Sequence, residues 1–231
     1  MAHKSDPAGK SEPGPAPQGD RRAAIVDALL TLAAEQRFED ITISAVCAAA
    51  NVSLADFRDA FPSKGAVLAG FSRRLDRAVL ERGSEHNLDE GAKERLFDVL
   101  MRRLDAMAPY RDGLRGVFGW LRRDPTSLLE MNRLTVNSLR FMLEAAEIDS
   151  DGPAGALKLQ GLALAWGRVF TIWLEDAPPD FAKSMAALDR ELTRGERMVA
   201  GLDRLDRFTA PLRSLVMRRR RAEPEAEPDM V

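Results

Sequence analysis

Ile41-Thr42-Ile43-Ser44-Ala45-Val46-Cys47-Ala48-Ala49-Ala50-Asn51-Val52-Ser53-Leu54-Ala55-Asp56-Phe57-Arg58-Asp59-Ala60-Phe61-Pro62-Ser63-Lys64 carries two short helical patterns around one turn. Small and apolar residues fill Ala45 to Ala50, and Asn51 tolerates the left-handed backbone that most side chains avoid. Ser44 is expected to cap the first helix. Leu54, Phe57 and Phe61 recur at helical spacing and are assigned to the second. The pattern predicts a helix-turn-helix, whose second helix has the dimensions to enter a DNA major groove. Asp56 and Asp59 fall on the outward face of that helix, where carboxylates oppose phosphate.

On the N-terminal side, Asp20 is expected to cap a helix with Ile25, Ala28, Leu29 and Leu32 as its apolar stripe, ending near Gln36. On the C-terminal side, Ser63 caps a helix from Lys64 to Arg82. It buries Val67, Leu68, Phe71, Leu75 and Val79 and stops at Gly83. Residues 20–82 therefore form a helical head. Nine basic residues in this span stand against nine acidic ones, so its affinity for nucleic acid must come from a local cluster such as Arg21, Arg22, Arg58 and Lys64.

Further helices are expected from Asp89 to Met107, Arg111 to Arg122, Thr126 to Glu147, Ala154 to Glu175 and Pro179 to Leu205. Pro109, Pro125, Asp149 to Pro153 and Ala177-Pro178-Pro179 form the breaks. No segment alternates as a strand does, so the class is all-α. Gly155, Gly161 and Gly167 are expected to let another backbone approach the helix that holds Leu159, Leu162, Trp166 and Trp173. The stripe Phe181, Met185, Leu188, Leu192, Val199 and Leu202 suits a core or a subunit interface. Residues 1–19 read as a disordered arm, 83–206 as a helical domain and 207–231 as a basic, then acidic, tail.

The chain has 231 residues, 45% of them hydrophobic, and a net charge of -2, values of an ordinary globular protein. Its single cysteine, Cys47, excludes an internal disulfide and reads as a small buried hydrophobe. His3 and His86 offer no metal cluster and no histidine-based triad, so neither catalysis nor a cofactor is expected. Without a membrane-length apolar run or a secretory signal, the expected setting is cytoplasmic.

Ile25 to Leu32, Thr42-Ile43-Ser44, Asn51-Val52-Ser53 and Phe61-Pro62-Ser63-Lys64 followed by Val67-Leu68 resemble the N-terminal domain of the TetR family of transcriptional regulators. The resemblance spans residues 21–80. It implies a homodimer on double-stranded DNA, with a three-helix head and a C-terminal bundle that binds a small molecule. Thr42, Ser44 and Lys64 would then hold phosphates, and Ser53, Ala55, Asp56, Arg58 and Asp59 would lie on the reading helix. Residues 161–176, with Asp180-Phe181 and Leu188-Asp189-Arg190, resemble the Coq9 family of ubiquinone-biosynthesis proteins. That resemblance implies instead an isoprenoid-binding accessory protein with a TetR-like fold.

Both resemblances imply a cavity in the bundle. Phe118, Trp120, Phe141, Met142, Trp166, Phe170 and Trp173 are the candidate lining for a hydrophobic effector or an isoprenoid lipid. In the tail, Leu212, Leu215 and Val216 share a helical face beside Arg218, Arg219, Arg220 and Arg221. Such a piece suits peripheral contact with an anionic membrane, contact with DNA, or a solvated charged end.

Overall fold

The computed structural model describes residues 18–82, 90–176 and 181–200. The helices are α1 (Gln18–Glu35), α2 (Ile43–Ala50), α3 (Leu54–Ala60), α4 (Lys64–Glu81), α5 (Ala92–Met107), α6 (Arg111–Leu121), α7 (Pro125–Ala145) and α8 (Gly152–Glu175), with hydroxyl caps opening α2, α3 and α4 and prolines in the first turns of α7 and α8. Helical backbone resumes over residues 182–200, here α9. Single 3-10 turns lie at Phe38–Asp40 and Ala108–Tyr110. No strand occurs among the described residues, and the all-α class holds. The expected stop at Gly83, the 177–179 break and the tail residues Leu212, Leu215, Val216 and Arg218 to Arg221 lie outside the described residues.

Several boundaries differ from expectation for local reasons. Asp20 sits in the first turn of α1, where its charge still favours the positive end of the helix dipole, but the helix begins at Gln18. Pro125 opens α7, and Pro153 lies in the first turn of α8, where a missing N–H leaves no bond unmade. Asp124 caps α7 by accepting from the Thr126 and Ser127 amides at 3.1 and 3.2 Å. Those bonds, together with the Ser127 hydroxyl, hold its carboxyl below the usual carboxylate range, the hydroxyl contributing most.

The chain forms two compact units. The first comprises residues up to Arg82 together with Asp105–Ser138, so α6 and the start of α7 join the head rather than a separate C-terminal domain. Its core gathers Ile25, Leu29, Phe38, Ile41, Phe61, Val67 and Val117. The Asp76 carboxylate is buried there and accepts from the Ser138 hydroxyl at 2.6 Å. The second unit comprises Gly83–Leu104 and the residues from Leu139 onward; Leu100, Leu139, Met142, Leu159, Val169, Trp173 and Leu188 fill its core. In it, Asp176 at the end of α8 accepts from both the amide and the hydroxyl of Ser184, each at 2.8 Å, and so fixes the start of α9. Gly155 lies against the Ser150 backbone as expected. Gly161 and Gly167 face open space, which corrects the expectation that a backbone of this chain approaches them.

α6 carries two glycines that the first unit cannot replace. A methyl group at Gly113 would overlap the Leu30 carbonyl, and one at Gly116 the Ala33 carbonyl, both on α1. Gly119, on the same helix, has free space around it. Gly113→Ala and Gly116→Ala are therefore expected to destabilise the protein by about 1–3 kcal/mol each through overpacking. Gly119→Ala should raise stability by up to about 1 kcal/mol through helix propensity. Chemical denaturation of the three variants measures the contrast; equal effects would show that α6 does not seat on α1 through Gly113 and Gly116.

Candidate nucleic-acid interface

α2 ends as the sequence predicts and begins one cap earlier. Asn51 adopts the left-handed conformation, φ 52° and ψ 47°, and the Val52 amide reaches back to the Cys47 carbonyl at 3.0 Å. The N-cap is Thr42, whose Oγ1 accepts from the Ala45 amide at 3.1 Å. Ser44 lies within the first turn and is exposed, so it is not the cap; of two hydroxyls flanking Ile43, the one whose backbone is still extended takes the role. Cys47 is buried, as expected, and burial together with the Asp56 carboxylate pushes its thiol up.

α3 begins at a capping box. The Asp56 amide donates to Ser53 Oγ at 3.0 Å, while the Ser53 amide and hydroxyl donate to Asp56 Oδ2 at 3.2 and 2.6 Å. Asp56 Oδ1 accepts from Arg21 on α1. The Ser53 hydroxyl, the Ser53 amide and Arg21, in that order, hold the Asp56 carboxyl below the usual range. Asp56 is therefore not a free negative charge facing phosphate. It is the joint between the helix cap and α1, and the Ser53-x-x-Asp56 spacing carried that signal.

Below α3, Phe57 and Phe61 are buried, with ring centroids 6.5 Å apart. Phe61 lies just past the helix, in extended backbone, and its ring occupies the space left by Gly70 of α4. The Arg22 guanidinium stacks 4.4 Å over it. Leu54, on α3 as its spacing predicts, does not join them: at the first position of the helix it is 61% exposed. A seven-residue helix is too short to bury three apolar turns.

Lys64 follows the Ser63 cap of α4 and turns inward. Its Nζ donates to the carbonyls of Phe38 and Ile41 at 2.9 and 2.6 Å and lies 4.8 Å from the centre of the Phe38 ring. Burial pushes this ammonium below its ordinary value, partly offset by the nearby Glu39 and Asp40 carboxylates. Two of the three Lys64 donors close the 3-10 turn, which leaves one for the phosphate it is expected to hold. Phe38 also meets Trp120 of α6, centroids 4.5 Å apart, so the turn is held from both sides.

The surface left outward is small. Thr42, Ser44, Ser53, Ala55, Arg58 and Asp59 are exposed with Leu54, and Arg58 and Asp59 have no ion-pair partner among the described residues. Elsewhere in the head, Arg74 pairs with Asp27 at 2.7 Å and Arg77 with Glu81 at 3.2 Å. Glu39 accepts from Arg37 and, at 3.4 Å, from Arg123, just past the end of α6.

The seven candidate pocket residues are divided between the two units. Phe118 and Trp120 belong to the first compact unit, and Phe141, Met142, Trp166, Phe170 and Trp173 to the second. Met142, Trp166 and Trp173 are packed as core, while Phe141 is 47% exposed. A surface groove of about 450 Å³ in the second unit is lined instead by Ile172, Ala182, Lys183, Ala186 and Arg190. Among the described residues, no three His, Cys, Asp or Glu side chains gather as a metal would require, and no helix is long and apolar enough to cross a membrane.

The Asp56 cap has a pH signature. Its folded value lies below its ordinary 3.8, so the stability it contributes is complete above that value and is lost as pH falls through the lower folded one. Denaturation midpoints from about pH 5 to about pH 3 should fall less steeply for Asp56→Ala than for the parent chain, from a lower starting stability. Parallel curves would place the acid sensitivity elsewhere.

Solved structures share this architecture. A TetR transcriptional regulator from Nitrosomonas europaea ATCC 19718 superposes with a TM-score of 0.60 at 24% identity, over 76% of this chain and 97% of that one. One from Rhodococcus sp. RHA1 gives 0.53 at 17% identity, over 77% and 96%. A TetR-family regulator from Streptomyces coelicolor gives 0.51 at 16% identity, over 85% and 97%. No protein-family model matches the sequence, and no curated protein matches it. The fold of this chain is that of the TetR-type transcriptional regulators.

Proposed function

We propose that this protein is a DNA-binding transcriptional regulator that acts as a homodimer, a repressor relieved by a hydrophobic small molecule. The observation that carries the reading is the mounting of α3: capped by Ser53, tied to α1 through Asp56 and Arg21, and anchored by Phe57, it holds Leu54, Ala55, Arg58 and Asp59 outward. A helix this short has no stability of its own, so such anchoring serves a surface that must keep its shape. Arg58 suits a guanine edge and Asp59 a cytosine amino group, while Thr42 and Ser44 suit phosphate oxygens. The fold likeness to TetR regulators supports the same reading.

The dimer is supported by the second unit. On α8, Leu157 and Leu164 are 56% and 64% exposed and share a face with Gly161 and Arg168. On α9, Met185 and Met198 are also exposed. Open glycines beside exposed leucines let the helix of a second copy come close. An effector that binds one arrangement of such a dimer better than another shifts the population by that difference in affinity. The alternative reading, a Coq9-like isoprenoid carrier, draws on residues 161–190, whose Trp166 and Trp173 are packed as ordinary core.

Electrophoretic shifts with the protein's own promoter region test the function. Sequence-specific retention is expected, and Arg58→Ala should cost about 1–3 kcal/mol of affinity if it meets a base edge. Lys64 is a poor probe, since its loss unseats the 3-10 turn. Absence of retention at any salt, with an isoprenoid co-purifying, would replace this reading by the carrier. In sedimentation equilibrium the parent chain should run at twice its 25.5 kDa mass, and Leu164→Glu at the single mass. A dimeric variant would move the interface away from α8.

A further inference from the structure

Resting on the regulator reading, we infer that Leu54 reads the C5-methyl group of a thymine, making one thymine in each half-site a determinant of specificity. Leu54 opens α3 and is 61% exposed, whereas Leu29, Leu30, Leu68 and Leu75 of the same head are all buried. One turn on, Arg58 lies on the same helical face, and Ala55 and Asp59 form the adjacent row. The polar groups that could compete at this edge are engaged, because Ser53 Oγ and the Asp56 carboxylate bond each other and Arg21.

The chemistry left on the outward face is therefore one guanidinium, one carboxylate and two aliphatic side chains. In the major groove only thymine offers an apolar group, its C5-methyl, and adenine is best matched by an Asn or Gln amide. α3, Leu54–Ala60, contains neither amide. A T·A pair facing this helix is thus recognised through its methyl group, and Leu54 is the large aliphatic side chain placed to cover it. Covering it removes apolar surface of both partners from water.

The test uses duplexes recovered by the full-length protein from a randomised pool, then resynthesised with deoxyuridine in place of each thymidine in turn. Deoxyuridine keeps the pairing and removes only the methyl group. Fluorescence anisotropy should show one thymine per half-site whose replacement weakens binding by about fourfold, the fold-change of burying one such group. Leu54→Ala, a change at an exposed site, should bind the thymine duplex about as weakly and should be insensitive to the replacement. Uracil replacement that weakens both proteins equally, or neither, overturns the inference and leaves regulation standing. Recovery of no preferred sequence overturns the regulator reading and the inference with it.

Discussion

Helix α1 carries the first compact unit, and its closest neighbour is a backbone rather than a side chain. It packs against α2, α3, α4 and α6. Gly113 and Gly116 bring α6 directly onto the carbonyls of Leu30 and Ala33, a seat with no rotamers to adjust. At the other end of α1, Arg21 reaches Asp56 and Arg22 covers Phe61. The position of α3 is thus referred to α1 twice, by a charged bond at its first turn and by a guanidinium over the ring of Phe61 just past its last. α3 inherits its orientation from a helix that is itself held by backbone contact.

Two charged residues take roles opposite to those their types suggest. Asp56, a carboxylate on a helix expected to approach phosphate, is neutralised by Arg21 and used as a cap. Lys64, a cation in a motif expected to hold phosphate, closes the carbonyls of Phe38 and Ile41 beneath the surface. Both changes follow from the same rule, that backbone groups at turns and helix ends need partners when water is excluded. A count of nine charges against nine says little about such a head, because many of those charges face each other.

The sequence made the fold legible where a residue type has one physical use. Asn51 at a left-handed position, Ser63 before a helix, and the buried repeat Val67, Leu68, Phe71, Leu75 and Val79 are all found as read. Periodicity put Leu54 on α3 but could not say which side it faces, since seven residues give it too few turns to act on. The glycines show the same limit from another side: Gly155 meets a backbone and Gly161 does not, and nothing local distinguishes them. The pocket residues were chosen by type and spacing, which identify apolar faces but not which compact unit each face belongs to. Lys64 and Phe38, 26 residues apart, meet only once the chain is folded.

What α3 leaves exposed sets the kind of recognition it can perform. With Arg58 as the cation on that helix and Asp59 beside it, a duplex docked there gains little from displaced counterions, the term that dominates sequence-independent binding. In the proposed regulator, affinity then comes from the fit of Leu54, Ala55, Arg58 and Asp59 to base edges and from two heads acting together. Linking two weak sites raises the effective concentration of the second without adding a contact, provided the spacing between heads matches the half-sites. Were the protein to act as the proposed dimer, a head with few free charges would depend more heavily on dimer geometry than a basic one does.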